Sequence, residues 1–236
     1  MRADSTPGAA ILFDFDGVLV EDERLHWRAC RDVLGRLGIP LPRALYDARY
    51  LALDDHAACR AALRDAGWPE ARRRPALVAE LVRRKRRLFR RLCIRYRVAV
   101  SSGARRVVRV LSARMPLAVV SGAARVEIVG ALRKAGLLGC FETIVAAEDV
   151  RRCKPSPEGY RLALRRLSLA PGPACIAVED SPGGIAAARA AGLRTLGVAT
   201  SYGVRALRRA GAFEVVPSLD SSAAVLRILG SATRRR

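Results

Sequence analysis

Ala10-Ile-Leu-Phe-Asp-Phe-Asp-Gly17 is a short apolar run broken at its far end by two carboxylates and a glycine. Apolar residues from Ala10 to Phe15, bounded by turn residues, predict a buried strand with Asp14 held at its exit. The pattern of the chain changes at residue 98, and that change sets the fold class. Residues 22–97 read as helices almost throughout. Leu25, Ala29, Val33 and Leu37 recur at helical spacing until Gly38-Ile-Pro40 stops the helix. A second helix covers Asp55 to Asp65 and is closed by Gly67. Pro75 opens a long one that runs through Leu77, Leu81, Leu88, Leu92 and Tyr96.

Beyond residue 98 helices alternate with strands. Helices are predicted at 104–113, 124–135, 156–167, 183–191 and 220–229. Strands are predicted at Leu117–Val120, 143–146, Cys175–Val178 and Thr195–Val198, with a last apolar pair at Val215-Val216. Such alternation implies an α/β protein with a parallel sheet and helices on both faces, a Rossmann-like core. The helical block then reads as an insertion: residues 1–20 and 98–236 form the core domain, and 21–97 a small all-α cap domain. No internal repeat is present, and the Arg234–Arg236 tail is the only low-complexity segment.

The 236 residues are 51% hydrophobic, ample for a packed core. No apolar run reaches the roughly 18 residues of a membrane span, because Asp14 and Asp16 interrupt the nearest candidate. Arg2 is the only basic residue before the first strand and no small-residue cleavage site follows it, so no signal peptide is expected. A cytoplasmic, monomeric protein is the expectation. Cys30, Cys59, Cys93, Cys140, Cys153 and Cys175 form no C-x-x-C pair and read as reduced, buried thiols. With His26 and His56 the only histidines, a His-rich zinc site and a Ser–His–Asp set are both excluded. The net charge of +21 raises a nucleic-acid partner as the lesser expectation. Almost all of that charge is arginine, a bias that GC-rich coding also produces, and a 5% aromatic share offers few stacking platforms.

In doubly wound sheets ligands bind beyond the carboxyl ends of the strands. The first strand here ends at Asp14-Phe-Asp-Gly17 and the second at Ser121-Gly122. Lys154-Pro155 leads into a helix, and the fourth strand ends at Glu179-Asp180 before Ser181-Pro-Gly-Gly184. Each group alone is ordinary turn or capping chemistry. Their order, each at a strand end or the adjoining loop, points to phosphoryl transfer. Mg²⁺ takes oxygen ligands, which Asp14, Asp180, the Asp16 carbonyl and Glu179 could supply. Lys154 can pair with both a nucleophile and a phosphate oxygen. Ser121 and the amides around Gly122 can hold further oxygens. Asp14 is the candidate nucleophile and Asp16 the candidate general acid and base.

Phe13-Asp-Phe-Asp-Gly-Val18, Val119-Val-Ser-Gly122, Lys154-Pro-Ser-Pro-Glu158 and Val178-Glu-Asp-Ser-Pro-Gly-Gly-Ile185, with Ala190-Ala-Gly192 downstream, resemble the motifs of the haloacid dehalogenase superfamily. The helical insertion is similar to the cap of its phosphoglycolate phosphatase and beta-phosphoglucomutase branch. The resemblance implies a Mg²⁺-dependent phosphatase acting on a small phosphate ester. Dehalogenases of the family lack the second aspartate, so Asp16 favours ester chemistry. His26 stands where many members carry a histidine on the first cap helix, which makes it a candidate substrate contact. Mutases of the branch carry a phosphate-gripping arginine where Tyr50-Leu-Ala-Leu-Asp-Asp-His56 offers acids, which favours hydrolysis over a sugar-phosphate mutase. Glu21 replaces a common Asp, Ala52 a common Gly, and Ser101-Ser-Gly103 a common Pro-Gly turn. The basic run Arg83-Arg-Lys-Arg-Arg87, continuing to Arg90, Arg91, Arg95 and Arg97, is expected to be a solvated helix face opposite the apolar stripe. A polyanion-binding surface there, on a protein with vestigial catalytic motifs, is the remaining alternative.

Overall fold

The computed structural model describes residues 8–51, 53–68, 75–96 and 98–233, so Ala52, Arg97 and Arg234–Arg236 lie outside the described residues. Chain contacts divide it into two compact units, residues 1–21 with 99–236, and residues 22–98.

The larger unit is built on a sheet of six parallel strands: β1 (Ala10–Phe13), β2 (Leu117–Val120), β3 (Thr143–Val145), β4 (Cys175–Glu179), β5 (Arg194–Val198) and β6 (Glu214–Val216). Their spatial order is β3-β2-β1-β4-β5-β6. The chain thus winds outward one way from β1, returns, and winds the other way from β4. The carboxyl ends of β1 and β4 flank the point where the winding reverses, the place where such sheets bind ligands. Both strands are buried along their whole length, as continuous apolar runs require in a parallel sheet.

Helices α5 (Ser102–Ser112), α6 (Arg125–Lys134), α7 (Glu158–Arg166), α8 (Pro182–Ala190), α9 (Val204–Ala210) and α10 (Ser222–Ala232) accompany the strands. One helix, α9, is absent from the sequence expectation. Three of its seven residues are arginine and only Leu207 is buried, so it carries no apolar period to detect. The Ser101-Ser-Gly103 departure makes a helix start. Ser101 caps α5 by accepting the Ala104 amide, and the Gly103 amide donates to Asp220 at 2.8 Å. A Cβ on Gly103 would lie 2.3 Å from the Asp220 backbone, so only glycine fits.

The smaller unit packs α1 (Glu23–Gly35), α2 (Arg43–Arg49), α3 (Asp55–Asp65) and α4 (Pro75–Arg95) around Val33, Leu34, Tyr46, Leu63, Val78 and Leu81. Its interior corrects one sequence expectation. Lys85 sits inside the basic run expected to be a solvated face, yet it is buried. Position 85 follows Val78, Leu81 and Val82 and precedes Phe89 at helical spacing, all on the inward stripe. Its neighbours Arg83, Arg84, Arg86, Arg87, Arg90 and Arg91 are exposed, as expected. Arg83 and Arg84 pair with Glu80. Tyr96, placed by the sequence on the apolar stripe, is exposed just past the helix end.

The buried ammonium of Lys85 lies 2.7 Å from Asp55 and 2.6 Å from Nδ1 of His26, whose ring stacks on Phe89 at 3.9 Å. Burial alone would raise the Asp55 carboxyl, but the Lys85 charge outweighs it and holds the pKa down at about 2. Burial and the Lys85 charge both push the His26 imidazole well below its ordinary value. The cysteines also divide. None of the six is in a disulfide; Cys30, Cys59 and Cys175 are buried, but Cys153 is exposed on a loop, against expectation.

His26 has a measurable consequence. The folded chain keeps it neutral while the unfolded chain protonates it near pH 6.5, so stability falls as pH drops below that value, by up to about 1.4 kcal/mol per unit. Asp55 contributes nothing to that slope, because its stabilisation is lost only as pH falls from about 4 toward 2. The His26 share of the pH dependence, about 1 kcal/mol less stability at pH 5.5 than at pH 7.5, should appear in urea denaturation as the difference from a variant lacking the imidazole, His26→Gln.

Candidate active site

Asp14 is the first residue past β1, and its amide donates to the Val178 carbonyl of β4 at 2.9 Å. That bond extends the sheet by one residue and carries the carboxylate to the reversal point. The chain then turns tightly. Leu19 and Val20 amides both donate to the Phe15 carbonyl, and the Gly17 amide donates to the Val20 carbonyl at 2.6 Å. Gly17 has φ of +74°, and a Cβ there would lie 1.8 Å from a carboxylate oxygen of Asp180. A side chain at 17 would therefore collide with the carboxylate at the end of the neighbouring strand, besides straining the turn.

β4 delivers Glu179 and Asp180. Asp14, Glu179 and Asp180 are all buried, and each offers an oxygen within 4.8 Å of the others'. Lys154 reaches into this group from the loop before α7. Its ammonium is 2.9 Å from Asp14 and 2.5 Å from Glu179. Ser121, first past β2, donates its amide to the Val145 carbonyl. Its hydroxyl accepts the Ala123 amide at 2.9 Å and lies 3.5 Å from Asp16. Gly122 comes next at the open end of that strand, exposed. Six residues singled out in the sequence, Asp14, Asp16, Ser121, Lys154, Glu179 and Asp180, thus converge at one edge of the sheet. His26 belongs to the helical unit, where its Nδ1 meets the Lys85 ammonium.

Four carboxylates against one ammonium leave the edge strongly negative. Burial, then the charge of Glu179, and further Asp180 and Asp16, push the Asp14 carboxyl well above its ordinary value, although Lys154 opposes them. For Lys154 burial works against the charge, yet Asp14 and Glu179 outweigh it and raise its pKa, so it stays an ammonium.

Sequence reasoning missed Tyr160. It lies on α7, fully buried, and its hydroxyl donates to Glu179 at 2.6 Å while its ring sits 5.4 Å from the Lys154 ammonium. The ring reads as core, with Ala163 and Leu164 on the same helix face. The signal that could have found it is the hydroxyl, since a buried tyrosine needs an acceptor. Gly184 reads in the sequence only as a turn residue. A Cβ there would lie within 2.1 Å of the Glu179 carboxylate, so the first turn of α8 closes directly over that side chain.

The family model of haloacid dehalogenase-like hydrolases matches residues 9–192. The protein CbbY of Cereibacter sphaeroides is 32% identical over 215 residues, covering 89% of this chain and 91% of its own. The fructose-1-phosphate phosphatase YqaB of Escherichia coli is 30% identical over 209 residues, 80% of this chain and 96% of its own. The crystal structure of CbbY from Rhodobacter sphaeroides in complex with phosphate superposes with a TM-score of 0.71. Its identity is 31%, over 90% of this chain and 95% of that one. The chain belongs to the haloacid dehalogenase-like hydrolases, in their phosphoglycolate phosphatase and beta-phosphoglucomutase-like branch, and is a hydrolase of phosphoric monoesters.

Proposed function

We propose that this enzyme is a Mg²⁺-dependent phosphatase of a small phosphorylated carbohydrate, working through an aspartyl phosphate on Asp14. The observation that carries the proposal is the buried contact of Asp14 with Lys154 beside Glu179 and Asp180. The donor set fits a hard divalent cation: all its ligand atoms are oxygens, and burial, then the crowding of their negative charge, raises the Asp14 carboxyl. Asp14, Asp180, the Asp16 carbonyl and Glu179 are the residues that would hold it. When bound, the cation offsets the repulsion between Asp14 and an incoming phosphate.

The side chains then divide the work. A carboxylate oxygen of Asp14 attacks phosphorus as the ester P–O bond breaks, and Asp16 gives its proton to the leaving oxygen. Asp16, now a carboxylate, takes a proton from the water that attacks the aspartyl phosphate. Inorganic phosphate leaves and Asp14 is regenerated. Lys154, Ser121 and the amides near Gly122 hold the phosphoryl oxygens. His26, with Nδ1 engaged by Lys85 and Nε2 4.0 Å from Asp22, is the proposed substrate contact of the helical unit.

Hydrolysis is favoured over mutase chemistry because the segment Tyr50–His56 carries Asp54 and Asp55 and no arginine. Asp54 already caps α3 by accepting the Ala57 amide, and Asp55 is paired with Lys85. The carbohydrate class is supported by relatives named for it, the fructose-1-phosphate phosphatase and a phosphorylated carbohydrates phosphatase of Thermotoga maritima.

Phosphate release from a panel of sugar monophosphates should require Mg²⁺ and vanish in Asp14→Asn. Asp16→Asn should slow turnover by at least about 100-fold, the loss of general acid and base help. With beta-glucose 1-phosphate and a trace of its bisphosphate, free phosphate should accumulate; glucose 6-phosphate would indicate a mutase instead.

Cation binding has its own readout. Mg²⁺ at about 100 times its dissociation constant stabilises a protein by about 2.7 kcal/mol, equivalent to a Tm rise of about 5–10 °C at this chain length. Asp180→Asn should lose most of that rise in a thermal melt, with or without substrate.

A further inference from the structure

We propose that Tyr160 is a positioning residue. Its hydroxyl fixes Glu179 so that Glu179 in turn holds the Lys154 ammonium on Asp14. The inference rests on the catalytic reading of Asp14 and Lys154, and adds to it a residue on a helix that no strand-end motif includes.

The hydrogen-bond geometry carries the argument. The Glu179 side chain is fully buried, and one oxygen, Oε1, receives both the Tyr160 hydroxyl at 2.6 Å and the Lys154 ammonium at 2.5 Å. Its other oxygen faces the Ser181 hydroxyl at 3.3 Å. On the remaining side it is closed in by Gly184, where no Cβ could fit. Glu179 is therefore confined by α7, by the first turn of α8 and by its own strand. Of the two neutral donors to Glu179, the Tyr160 hydroxyl at 2.6 Å is far closer than the Ser181 hydroxyl at 3.3 Å, and its ring is packed in the core. A lysine stem, by contrast, has four rotatable carbons and takes its aim from its partners. Lys154 has two such partners, Asp14 and Glu179, and the first is the group that reacts. During turnover Asp14 would become an acyl phosphate, and the ammonium's contact there would pass from a carboxylate oxygen to a phosphoryl oxygen. Glu179 is the partner that stays the same through both halves of the reaction. Tyr160 also lies beneath that ammonium, its ring centroid 5.4 Å away, so one side chain orients the carboxylate and limits the ammonium's travel.

Tyr160→Phe keeps the ring and removes the hydroxyl. The chain has only three lysines, Lys85, Lys134 and Lys154, so amine labelling followed by peptide mass spectrometry reads each one separately. Lys134 is exposed and Lys85 is buried in the helical unit, which makes them internal standards for reagent and for global loosening. In the intact enzyme Lys154 should label more slowly than Lys134. In Tyr160→Phe its labelling should accelerate about tenfold to a hundredfold, the weight of one hydrogen bond to a charged group, while Lys85 and Lys134 stay unchanged. Phosphatase kcat/KM should fall by a similar factor, and adding Tyr160→Phe to Glu179→Gln should cost little more than Glu179→Gln alone.

Unchanged Lys154 labelling in Tyr160→Phe would overturn the proposal, as would equal acceleration at Lys85, or effects that multiply in full in the double variant. The phosphatase reading fails separately, on an intact enzyme that releases no phosphate with Mg²⁺. The labelling result judges Tyr160 in either case.

Discussion

An excess of buried negative charge at the end of a parallel sheet is the constraint on which the larger unit depends. Asp14, Asp16, Glu179 and Asp180 crowd their negative charge together, and the Lys154 ammonium is held against Asp14 and Glu179. Left to themselves such groups would separate or take up protons. They stay together because each is fixed to backbone that cannot move independently. Asp14 is bonded into the sheet through Val178, Asp180 follows directly on β4, and Gly17 and Gly184 let the chain close against carboxylates with no room to spare. The winding order brings β1 and β4 side by side, so residues far apart in the chain become neighbours by strand pairing.

The parts of this arrangement legible in the sequence were those attached to strand ends. Asp14, Ser121 and Asp180 follow runs of apolar residues, and a buried parallel strand announces itself by such a run. The six strands and most helices could be placed for the same reason. What could not be read is equally specific. Whether β4 lies beside β1 is a matter of winding, which one sequence does not display. Helix α9 lacks apolar period because its surface is arginine and its buried contact is Leu207 alone. Lys85 was hidden by its neighbours: five basic residues in a row look like one solvated surface, although the third of them points inward at the spacing of Val78, Leu81 and Phe89.

Tyr160 shows a different kind of illegibility. Its ring obeys the helical apolar pattern, and pattern reading stops there. Buried polar atoms on otherwise apolar side chains carry information that a hydrophobic period discards. The hydroxyl must find an acceptor, and the strongest acceptor in reach is a carboxylate. Tyr46, in the helical unit, repeats the case: it is buried among apolar residues and donates to Glu23 at 2.7 Å.

The chain also contains its own control for the electrostatic argument. Asp55 and Lys85 make a buried pair as close as Asp14 and Lys154, 2.7 Å against 2.9 Å. In the helical unit the buried lysine meets one carboxylate, which Arg86 also contacts at 3.1 Å, and that carboxyl is held down at about 2. At the sheet edge the lysine meets the same kind of partner within a crowd of acids, and the Asp14 carboxyl is pushed up. Burial opposes ionisation at both places, and an ammonium sits in contact at both. The sign of the shift therefore follows from the balance of acids against cations at each place. Asp55, with Lys85 and Arg86 against it, has its charge fully answered. The cluster at the sheet edge has negative charge to spare, and that is the charge on which the proposed divalent ion would draw.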